Sequence, residues 1–240
     1  MRSFVPSVFI ALFLLASGVG LIFAATSAEA ITFEPVKTES VKVTGKIVDR
    51  YFFVEFNTLS FIDPVAAQYF ISAFENQQIP YDGKHEPVAS DKMTCSTSHC
   101  SYALEAPISE VPYIVGIGSS DSINTISATL SFVPGKSDGV PFNPSVSVAE
   151  IGINSVIVAY QMPLGYRPSD SKAWVGIWVG EASSTIPPMG KADVDSVQSD
   201  GTQGINGIKI QTDATYTVGF MSGPNSKDIV AIATIKTASY

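Results

Sequence analysis

The chain has 240 residues, of which 45% are hydrophobic and 15% are charged, and its formal net charge is −8. This length suits one or two globular domains. The 14 Lys and Arg residues are scattered singly, which argues against nucleic acid as a partner because phosphate binding needs clustered positive charge.

The N-terminus predicts export. Arg2 precedes an uncharged, apolar run over residues 4–25, and Ala28-Glu29-Ala30 follows with the small-x-small pattern that signal peptidase cuts. We therefore expect a signal peptide over residues 1–30. The run is also long enough to span a bilayer, so an uncleaved anchor through residues 4–25 is the alternative. In both cases the chain from Ile31 onward is expected to be extracellular or at the cell surface.

Two cysteines, Cys95 and Cys100, are expected to form a disulfide, since cysteines of exported chains are usually paired. They enclose four residues, so the bond would pin a hairpin. The alternative is a metal site that also uses His85 and His99. Four ligands on one loop do not match the paired spacings of zinc sites, so the disulfide is favoured and no cofactor is expected.

From Ile31 the sequence has strand patterning almost without a break. Residues Ser40 to Val48 alternate polar and apolar side chains, as a half-buried strand does, and Tyr51 to Phe56 follows as a more buried strand. Short strands without helical crossovers predict an all-β chain built from antiparallel sandwiches. The polar stretch Asn76 to Ser101 contains Pro and Gly residues and predicts one long loop or hairpin.

Residues 134–144 are rich in Pro and Gly, which is typical of an interdomain linker. Short matches recur in the same order on either side of it, at offsets of 103 to 105 residues. The matched pairs are Val54-Glu55-Phe56-Asn57 with Val158-Ala159-Tyr160-Gln161, Tyr69-Phe70 with Trp174-Val175, Tyr113-Ile114-Val115-Gly116 with Tyr216-Thr217-Val218-Gly219, and Ala128-Thr129-Leu130 with Ala233-Thr234-Ile235. This duplication predicts two tandem sandwiches of the immunoglobulin or fibronectin type III kind, over residues 31–133 and 145–240.

Four aromatic residues are predicted to anchor the sandwich cores. Trp174 and Trp178 are four residues apart, so in a strand they share one face. Tyr113 and Tyr216 each open a strand after a turn, where a tyrosine can pack inward and return its hydroxyl to the backbone. A strand tyrosine with a solvated hydroxyl is the alternative for both.

The second half of the chain carries a resemblance. Tyr160, the stretch from Arg167-Pro168-Ser169-Asp170 to Trp174-Val175-Gly176-Ile177-Trp178, and Tyr216-Thr217-Val218-Gly219-Phe220 resemble SKICH domains and the fibronectin-III-like N-terminal domains of plant purple acid phosphatases. The first half matches only weakly, because Gln68-Tyr69-Phe70-Ile71 lacks the Trp-Val-Gly core. The resemblance implies a β-sandwich fold and a role in docking or as a non-catalytic attachment.

The sequence contains no catalytic constellation. It has two histidines, no Gly-rich phosphate loop and no Gly-x-Ser-x-Gly motif. Asp193, Asp195 and Asp200 are a weak candidate set for Ca²⁺, with solvated turn residues as the favoured alternative because the EF-hand spacing is absent.

These observations favour an exported, non-catalytic interaction module that binds a protein or glycan ligand through loops at the ends of its sandwiches. The loops concerned are Asn76 to Ser101 and Ser183 to Asn206. One alternative is a structural subunit, in which Ile31 to Val43 pairs with a sheet edge of a neighbouring copy. Another is a hydrolase or an accessory domain of one.

Overall fold

The structure is a computed structural model that describes residues 30–239. These residues form sixteen strands, one short α-helix and two 3₁₀ turns. The elements are β1 (Phe33–Ser40), β2 (Lys42–Val48), β3 (Tyr51–Asn57), β4 (Phe70–Phe74), β5 (Ala89–Lys92), β6 (His99–Glu105), β7 (Tyr113–Gly118), a 3₁₀ turn (Ile123–Thr125), β8 (Ala128–Phe132), β9 (Val140–Phe142), β10 (Ser145–Gly152), β11 (Ser155–Gln161), α1 (Pro168–Ser171), β12 (Trp174–Val179), β13 (Gly190–Asp193), β14 (Asp200–Asn206), β15 (Thr215–Met221), a 3₁₀ turn (Ser226–Asp228) and β16 (Ile229–Thr237).

The strands form two antiparallel sandwiches, which confirms the predicted fold class. In the first sandwich, the sheet β2-β3-β6 faces the sheet β5-β4-β7-β8-β9. In the second, β10-β11-β14 faces β13-β12-β15-β16-β1. Each sandwich thus has a three-stranded sheet against a five-stranded sheet, as expected from a duplicated sequence.

In the three-stranded sheets, buried side chains alternate along the strand with more exposed ones. In β3 the side chains of Phe52, Val54 and Phe56 are buried while their neighbours face solvent, and β11 repeats the pattern with Val156, Val158 and Tyr160. Strands β4 and β7 of the first five-stranded sheet are instead buried along their whole length. A strand that is buried on both faces needs a cover on its outer side, the face that is turned away from the opposite sheet.

The two tyrosines that open β7 and β15 are buried and bond to nearby backbone. The Tyr113 hydroxyl accepts a hydrogen bond from the N–H of Ser109 at 2.9 Å, and the Tyr216 hydroxyl accepts one from the N–H of Gln211 at 2.8 Å. In the first core the Tyr113 ring also contacts Phe52, with the ring centroids 5.4 Å apart. Each tyrosine therefore fixes the turn before its strand to the core.

Sheet register corrects one of the sequence matches. Ser72 pairs with Gly116, and Gly176 pairs with Gly219 at the corresponding place in the second sandwich. Ser72 therefore corresponds to Gly176, and Phe70 corresponds to Trp174 at an offset of 104 residues rather than 105. A slip of one residue moves every side chain to the other face of a strand, so the match of Tyr69 with Trp174 was wrong.

Two strands pair with a sheet of the other half of the chain, so the observed domain boundaries differ from the predicted ones. Strand β1, expected in the first domain, pairs with β16 of the second sandwich. Strand β9, expected in the linker, pairs with β8 of the first. The single residue Val41 then separates β1 from β2, and two residues separate β9 from β10. Alternation predicts that a segment is a strand but not which sheet edge it joins, and this is why the boundaries differed.

The reciprocal exchange holds the sandwiches end to end. Both connections cross the junction, where the N–H of Val43 donates to Oδ1 of Asn143 at 3.0 Å. The loop after β7 meets the loop before β16 there, because Ser119 and Ser120 contact Asp228. Loops that a lone sandwich would present to solvent at this end are thus packed against one another.

The predicted export segment lies outside the described residues, apart from Ala30. Within residues 30–239, no helix is long and apolar enough to cross a membrane.

Candidate functional site

The stretch predicted as one recognition loop, Asn76 to Ser101, has three parts in the structure. Residues 75–88 form a loop that we name the first cover loop, β5 follows, and residues 93–98 form a short loop that leads into β6. The prediction of a single long loop was wrong because β5 is a short, polar edge strand without a hydrophobic pattern.

The first cover loop lies on the outer face of β4 and β7. Its Ile79 belongs to a separate apolar cluster with Phe70, Phe74, Ile114 and Ile126. Gly116 makes this contact possible, since a Cβ atom there would lie 2.6 Å from Ile126 and 3.0 Å from Ile79. The loop is therefore anchored by apolar burial and does not extend freely into solvent.

Tyr81 connects the first cover loop to the junction between the two sandwiches. Its hydroxyl donates to the carbonyl of Ile126 at 2.8 Å, and its ring meets the ring of Tyr166 edge to face, with the centroids 5.6 Å apart. Tyr166 belongs to the second sandwich and is fully buried, and its hydroxyl donates to the carbonyl of Ser222 at 2.8 Å. Burial raises the pKa of both tyrosines above the ordinary value of a phenol.

A cleft of about 430 Å³ opens beside Tyr81, between the first cover loop and residues 165–170 of the second sandwich. We name it the junction cleft. Its wall carries three amides, one imidazole, one guanidinium and two carboxylates, together with few apolar groups. The lining residues are Asn76, Gln77, Gln78, Ile79, Pro80, Tyr81, Asp82, His85, Gly165, Arg167 and Asp170.

The charged groups of the junction cleft come from both sandwiches. Arg167 Nε lies 3.2 Å from Asp170 Oδ2, on the side of the second sandwich. On the cover loop, the backbone N–H of Lys84 donates to Asp82 Oδ1 at 3.1 Å and is the main cause of a lowered pKa for that carboxyl. His85 Nδ1 is 3.9 Å from the same oxygen. The cleft can thus offer both charge signs and several amides to one ligand.

A network around Asp228 fixes the two walls of the cleft relative to each other. Asp228 is fully buried. Its Oδ1 accepts from the hydroxyls of Ser119 at 2.8 Å and Ser120 at 2.5 Å, and its Oδ2 accepts from the N–H of Asn225 at 2.9 Å. Nearby, Lys227 Nζ donates to the carbonyl of Ala66 at 3.2 Å. These bonds join the first sandwich to the second beside the exchanged strands.

Trp174 and Trp178 share a face, but it is the outer face of the second five-stranded sheet. Val175 and Ile177 alternate with them, and Ile177 lies beside Gly190, whose inner side faces Ile205 of the opposite sheet. A Cβ atom at Gly176 would lie 2.9 Å from ring atoms of both tryptophans, so the rings lie over this glycine. Both tryptophans are buried and belong to the hydrophobic core, but they lie on the outer face of their sheet, because spacing predicts a shared face and does not say which one.

Residues 180–189, named the second cover loop, bury the tryptophan pair. Trp178 Nε1 donates to the carbonyl of Ile186 at 2.9 Å, and Lys191 Nζ lies 5.5 Å from the centre of the Trp174 ring. The predicted loop Ser183 to Asn206 thus consists of part of this cover loop, β13, a short connection and β14. Both cover loops do the same task at corresponding places of the two sandwiches.

The expected disulfide between Cys95 and Cys100 is present, with the Cα atoms 6.2 Å apart. It ties the loop of residues 93–98 to the start of β6. His99 Nδ1 lies 2.6 Å from Asn57 Oδ1, whereas His85 lies in the junction cleft. The structure therefore does not bring the cysteines and histidines together as a metal site.

The calcium candidates lie around the connection between β13 and β14, where Asp193 and Asp195 line one cleft and Asp200 lies outside it. Asp193 ends β13, Asp195 follows in the connection, and Asp200 begins β14, and all three are exposed. Within residues 30–239, no group of three or more His, Cys, Asp or Glu side chains could hold a metal ion.

No protein-family model matches the chain, and no curated protein matches it. Among solved structures, the chain is similar to a two-domain fibronectin type III segment of chicken tenascin, with 14% identity, 87% of this chain and 99% of that chain covered, and a TM-score of 0.29. It is also similar to the chicken interferon gamma receptor alpha chain, with 13% identity, coverages of 83% and 98%, and a TM-score of 0.26. The fold therefore rests on the strand order described above, which shows two tandem antiparallel sandwiches, and the narrower resemblance to SKICH and purple acid phosphatase domains finds no support.

Proposed function

We propose that the protein is an exported, non-catalytic interaction module that binds a protein or glycan ligand in the junction cleft. One observation carries this proposal. Polar side chains from both sandwiches converge on the cleft of about 430 Å³, which lies within the size range of ligand pockets.

Preorganisation favours the cleft over a free loop as the binding site. Ile79 and Tyr81 hold the first cover loop against the first sandwich, and the Asp228 network holds the second sandwich beside it. A wall that is ordered before binding loses less conformational entropy when the ligand arrives. Anchoring the walls before binding therefore lowers the entropy cost of binding and raises the affinity for a ligand.

The chemistry of the wall suits a ligand with many hydrogen-bonding groups. Gln77 and Gln78 can donate and accept, Arg167 can donate through a planar guanidinium, and Asp82 is an acceptor with a lowered pKa. Hydroxyls of a glycan or the backbone and polar side chains of a protein segment match this set. Few apolar groups line the cleft, so affinity would come from placed polar contacts.

Export is the second part of the proposal. The N-terminal run over residues 4–25 and the site at Ala28-Glu29-Ala30 support secretion or anchoring, and the Cys95–Cys100 disulfide suits an oxidising compartment. Intact mass of the mature protein decides between cleavage and anchoring, since a species that still carries residues 1–30 would contradict cleavage.

The structural-subunit alternative loses the donor strand on which it depended. Strand β1, the core of the Ile31 to Val43 stretch, pairs on one side with β16 of its own chain, and its outer edge carries Pro35 and a bulge before Lys37, which disfavour a regular ladder with a neighbour's sheet. An assembly built by that donor is therefore not proposed.

The test compares variants of the cleft in ligand capture. Arg167→Ala and Gln78→Ala remove one charged and one amide group from the wall, and Arg50→Ala is the matched control because Arg50 is exposed and pairs with Glu105 far from the cleft. Each protein is immobilised and presented to a glycan array and to extracellular extract with covalent crosslinking. We expect Arg167→Ala to lower capture about tenfold or more, as loss of a charged hydrogen bond does, while Arg50→Ala binds like the parent. Equal capture by all variants would contradict the cleft as the site.

A further inference from the structure

Each charged side chain that lines the junction cleft has an opposite charge of the same chain beside it. Arg167 Nε lies 3.2 Å from Asp170 Oδ2, and Lys84 Nζ lies 3.6 Å from Asp82 Oδ2. The ring nitrogen Nδ1 of His85 is 3.9 Å from the other oxygen of the Asp82 carboxyl. A charged ligand would therefore meet an attraction and a repulsion at each pair, so this arrangement disfavours a ligand with a net charge.

The pair of Arg167 and Asp170 is held on one short helical turn. Arg167 is the N-cap of α1 and Asp170 lies in its first turn, where the N–H of Asp170 donates to the carbonyl of Arg167 at 3.1 Å. Between them, the N–H of Ser169 donates to the carbonyl of Ser196 at 2.9 Å, which ties the turn to the second sandwich. The cleft wall thus presents a donor group and an acceptor group side by side before any ligand arrives.

A neighbouring donor and acceptor match two hydroxyls on adjacent carbon atoms. A hydroxyl both donates and accepts, so one hydroxyl can accept from an N–H of Arg167 while the next donates to the carboxylate of Asp170. The two side chains are 52% and 46% exposed, so both keep polar atoms that a ligand can reach. A ligand carboxylate would be repelled by Asp170, and a ligand ammonium would be repelled by Arg167.

Side-chain amides extend this hydrogen-bonding surface on the first cover loop. Gln77 and Gln78 line the cleft and are exposed, and each amide offers both donors and an acceptor. Asn76 Oδ1 accepts from the backbone N–H of Gln77 at 2.7 Å, which fixes the start of this segment. Further hydroxyls of the same ligand can therefore bond to the opposite wall of the cleft.

One aromatic ring supplies an apolar contact among these polar groups. The Tyr81 ring is half-buried, and its hydroxyl bond to Ile126 and its contact with the Tyr166 ring hold it in place. Gly165 leaves the edge of this ring uncovered, since a Cβ atom there would lie 3.7 Å from Tyr81 Cδ2. A sugar ring combines hydroxyls with an apolar C–H surface, so it matches a fixed aromatic ring flanked by polar side chains.

The lining offers little of what a protein segment needs. None of the lining residues belongs to a strand, so the cleft has no sheet edge to which an extended peptide could add. The apolar lining residues Ile79 and Pro80 are themselves buried, which leaves little open apolar surface for the large anchor side chain of a protein partner. The chemistry of the cleft therefore favours a glycan.

We propose that the ligand of the junction cleft is a neutral glycan. Arg167 and Asp170 bind two hydroxyls on adjacent carbons of one sugar, and the C–H surface of a sugar ring lies against Tyr81. This inference rests on the proposed function, because it names the ligand class of the same cleft.

An array of neutral oligosaccharides and their sulfated and sialylated counterparts tests the ligand class with the full exported chain. We expect the neutral members to bind, with an affinity that changes less than about twofold between roughly 0.05 and 0.5 M NaCl, because no net charge is attracted. Periodate cleaves the bond between two carbons that carry adjacent hydroxyls, so treating the bound glycan with periodate should abolish binding. Preference for the charged members, or binding that survives periodate, overturns the inference.

Asp170→Asn distinguishes a neutral ligand from an anionic one by the direction of its effect. Asparagine keeps a side-chain oxygen but loses the charge, and a hydrogen bond to a neutral acceptor is weaker than one to a carboxylate, so we expect neutral glycans to bind about fivefold more weakly. An anionic ligand would bind more tightly because a repulsion is removed. Glu105→Gln is the matched control, since Glu105 pairs with Arg50 Nε at the same distance of 3.2 Å outside the cleft, and it should bind like the parent.

The outcomes separate this inference from the proposed function. If no neutral glycan binds and Arg167→Ala lowers the capture of a protein, the cleft is a binding site but its ligand class is not a glycan. If Arg167→Ala changes no capture of any kind, both the cleft and its ligand class are wrong. Tighter or unchanged glycan binding in Asp170→Asn contradicts the role given to the pair of Arg167 and Asp170.

Discussion

Asp228→Ala removes a fully buried carboxylate that joins the two sandwiches. Its two oxygens accept three hydrogen bonds, two from the hydroxyls of Ser119 and Ser120 across the junction and one from the N–H of Asn225 within its own turn. Alanine supplies no acceptor. The buried hydroxyl of Ser119 and the N–H of Asn225 then lose their partner in the folded state.

We expect Asp228→Ala to lower the free energy of unfolding by about 3 kcal/mol. A hydrogen bond to a charged group contributes about 1.5–3 kcal/mol, and a buried donor that is left without a partner costs about 1–3 kcal/mol. Part of this loss is offset, because alanine avoids the cost of burying a charge. Asp228→Asn keeps one acceptor oxygen for the serines but points an amide N–H₂ at Asn225 N–H, so we expect a smaller loss of about 1–2 kcal/mol.

Urea unfolding measures these changes, with the fluorescence of Trp174 and Trp178 as the probe of the second sandwich. Lys236→Ala is the control, because Lys236 is exposed and forms a surface ion pair with Asp213, whose loss should change stability by less than about 0.5 kcal/mol. A cycle with Ser119→Ala should give a coupling energy of about 1 kcal/mol or more across the junction. A loss below about 1 kcal/mol in Asp228→Ala, or a coupling near zero, would refute the reasoning.

Three further outcomes are expected. Trypsin should cut at the exposed Lys136. Because β1 and β9 each pair with a strand of the other fragment, the two fragments should coelute in native buffer and separate in urea. Separation in native buffer would contradict the strand exchange. Trp178→Ala should cost about 3–5 kcal/mol in urea unfolding, since a buried indole and its bond to Ile186 are lost, and a loss typical of surface positions would mean that the second cover loop does not bury it. Burial, together with a hydrogen bond to Asp91, raises the pKa of Tyr102 to about 12, so its stabilising contribution is complete below about pH 10 and is lost as pH rises towards 12. Tyr102→Phe should therefore flatten the fall of stability over this range, and an unchanged slope in alkaline unfolding curves would argue against the shift.

The local pattern of the sequence determined the strands and much of their chemistry. Alternation predicted β2, and the largely apolar run from Tyr51 to Phe56 predicted β3. The turns before Tyr113 and Tyr216 indicated two tyrosines that in the structure bond to the backbone of those turns. The repeated segments indicated duplication, which the matching sheet orders support. These features depend on residues close together in the chain, where side-chain spacing and turn chemistry act directly.

The candidate site could not be predicted in the same way. The stretch from Asn76 to Ser101 was predicted as a recognition loop because it is long, polar and contains both cysteines, and part of it lines the junction cleft. Its partners Arg167 and Asp170 lie about ninety residues away in sequence and were noted only as part of the turn before the tryptophans. The hydrogen bonds of Asp228 could not be predicted from the sequence, because a lone acidic residue before a strand is usually a solvated turn residue.

Only the tertiary structure decided which face and which edge each strand uses. The spacing of Trp174 and Trp178 predicted that they share one face of their strand. In the structure this is the outer face, which is buried because the second cover loop lies over it and Gly176 leaves room for the rings. Composition made β1 a strand, but its pairing with β16 depends on the exchange across the junction. A period of two defines two faces and two edges for any strand, and the choice between them is made by the free energy of contacts between segments that are distant in sequence.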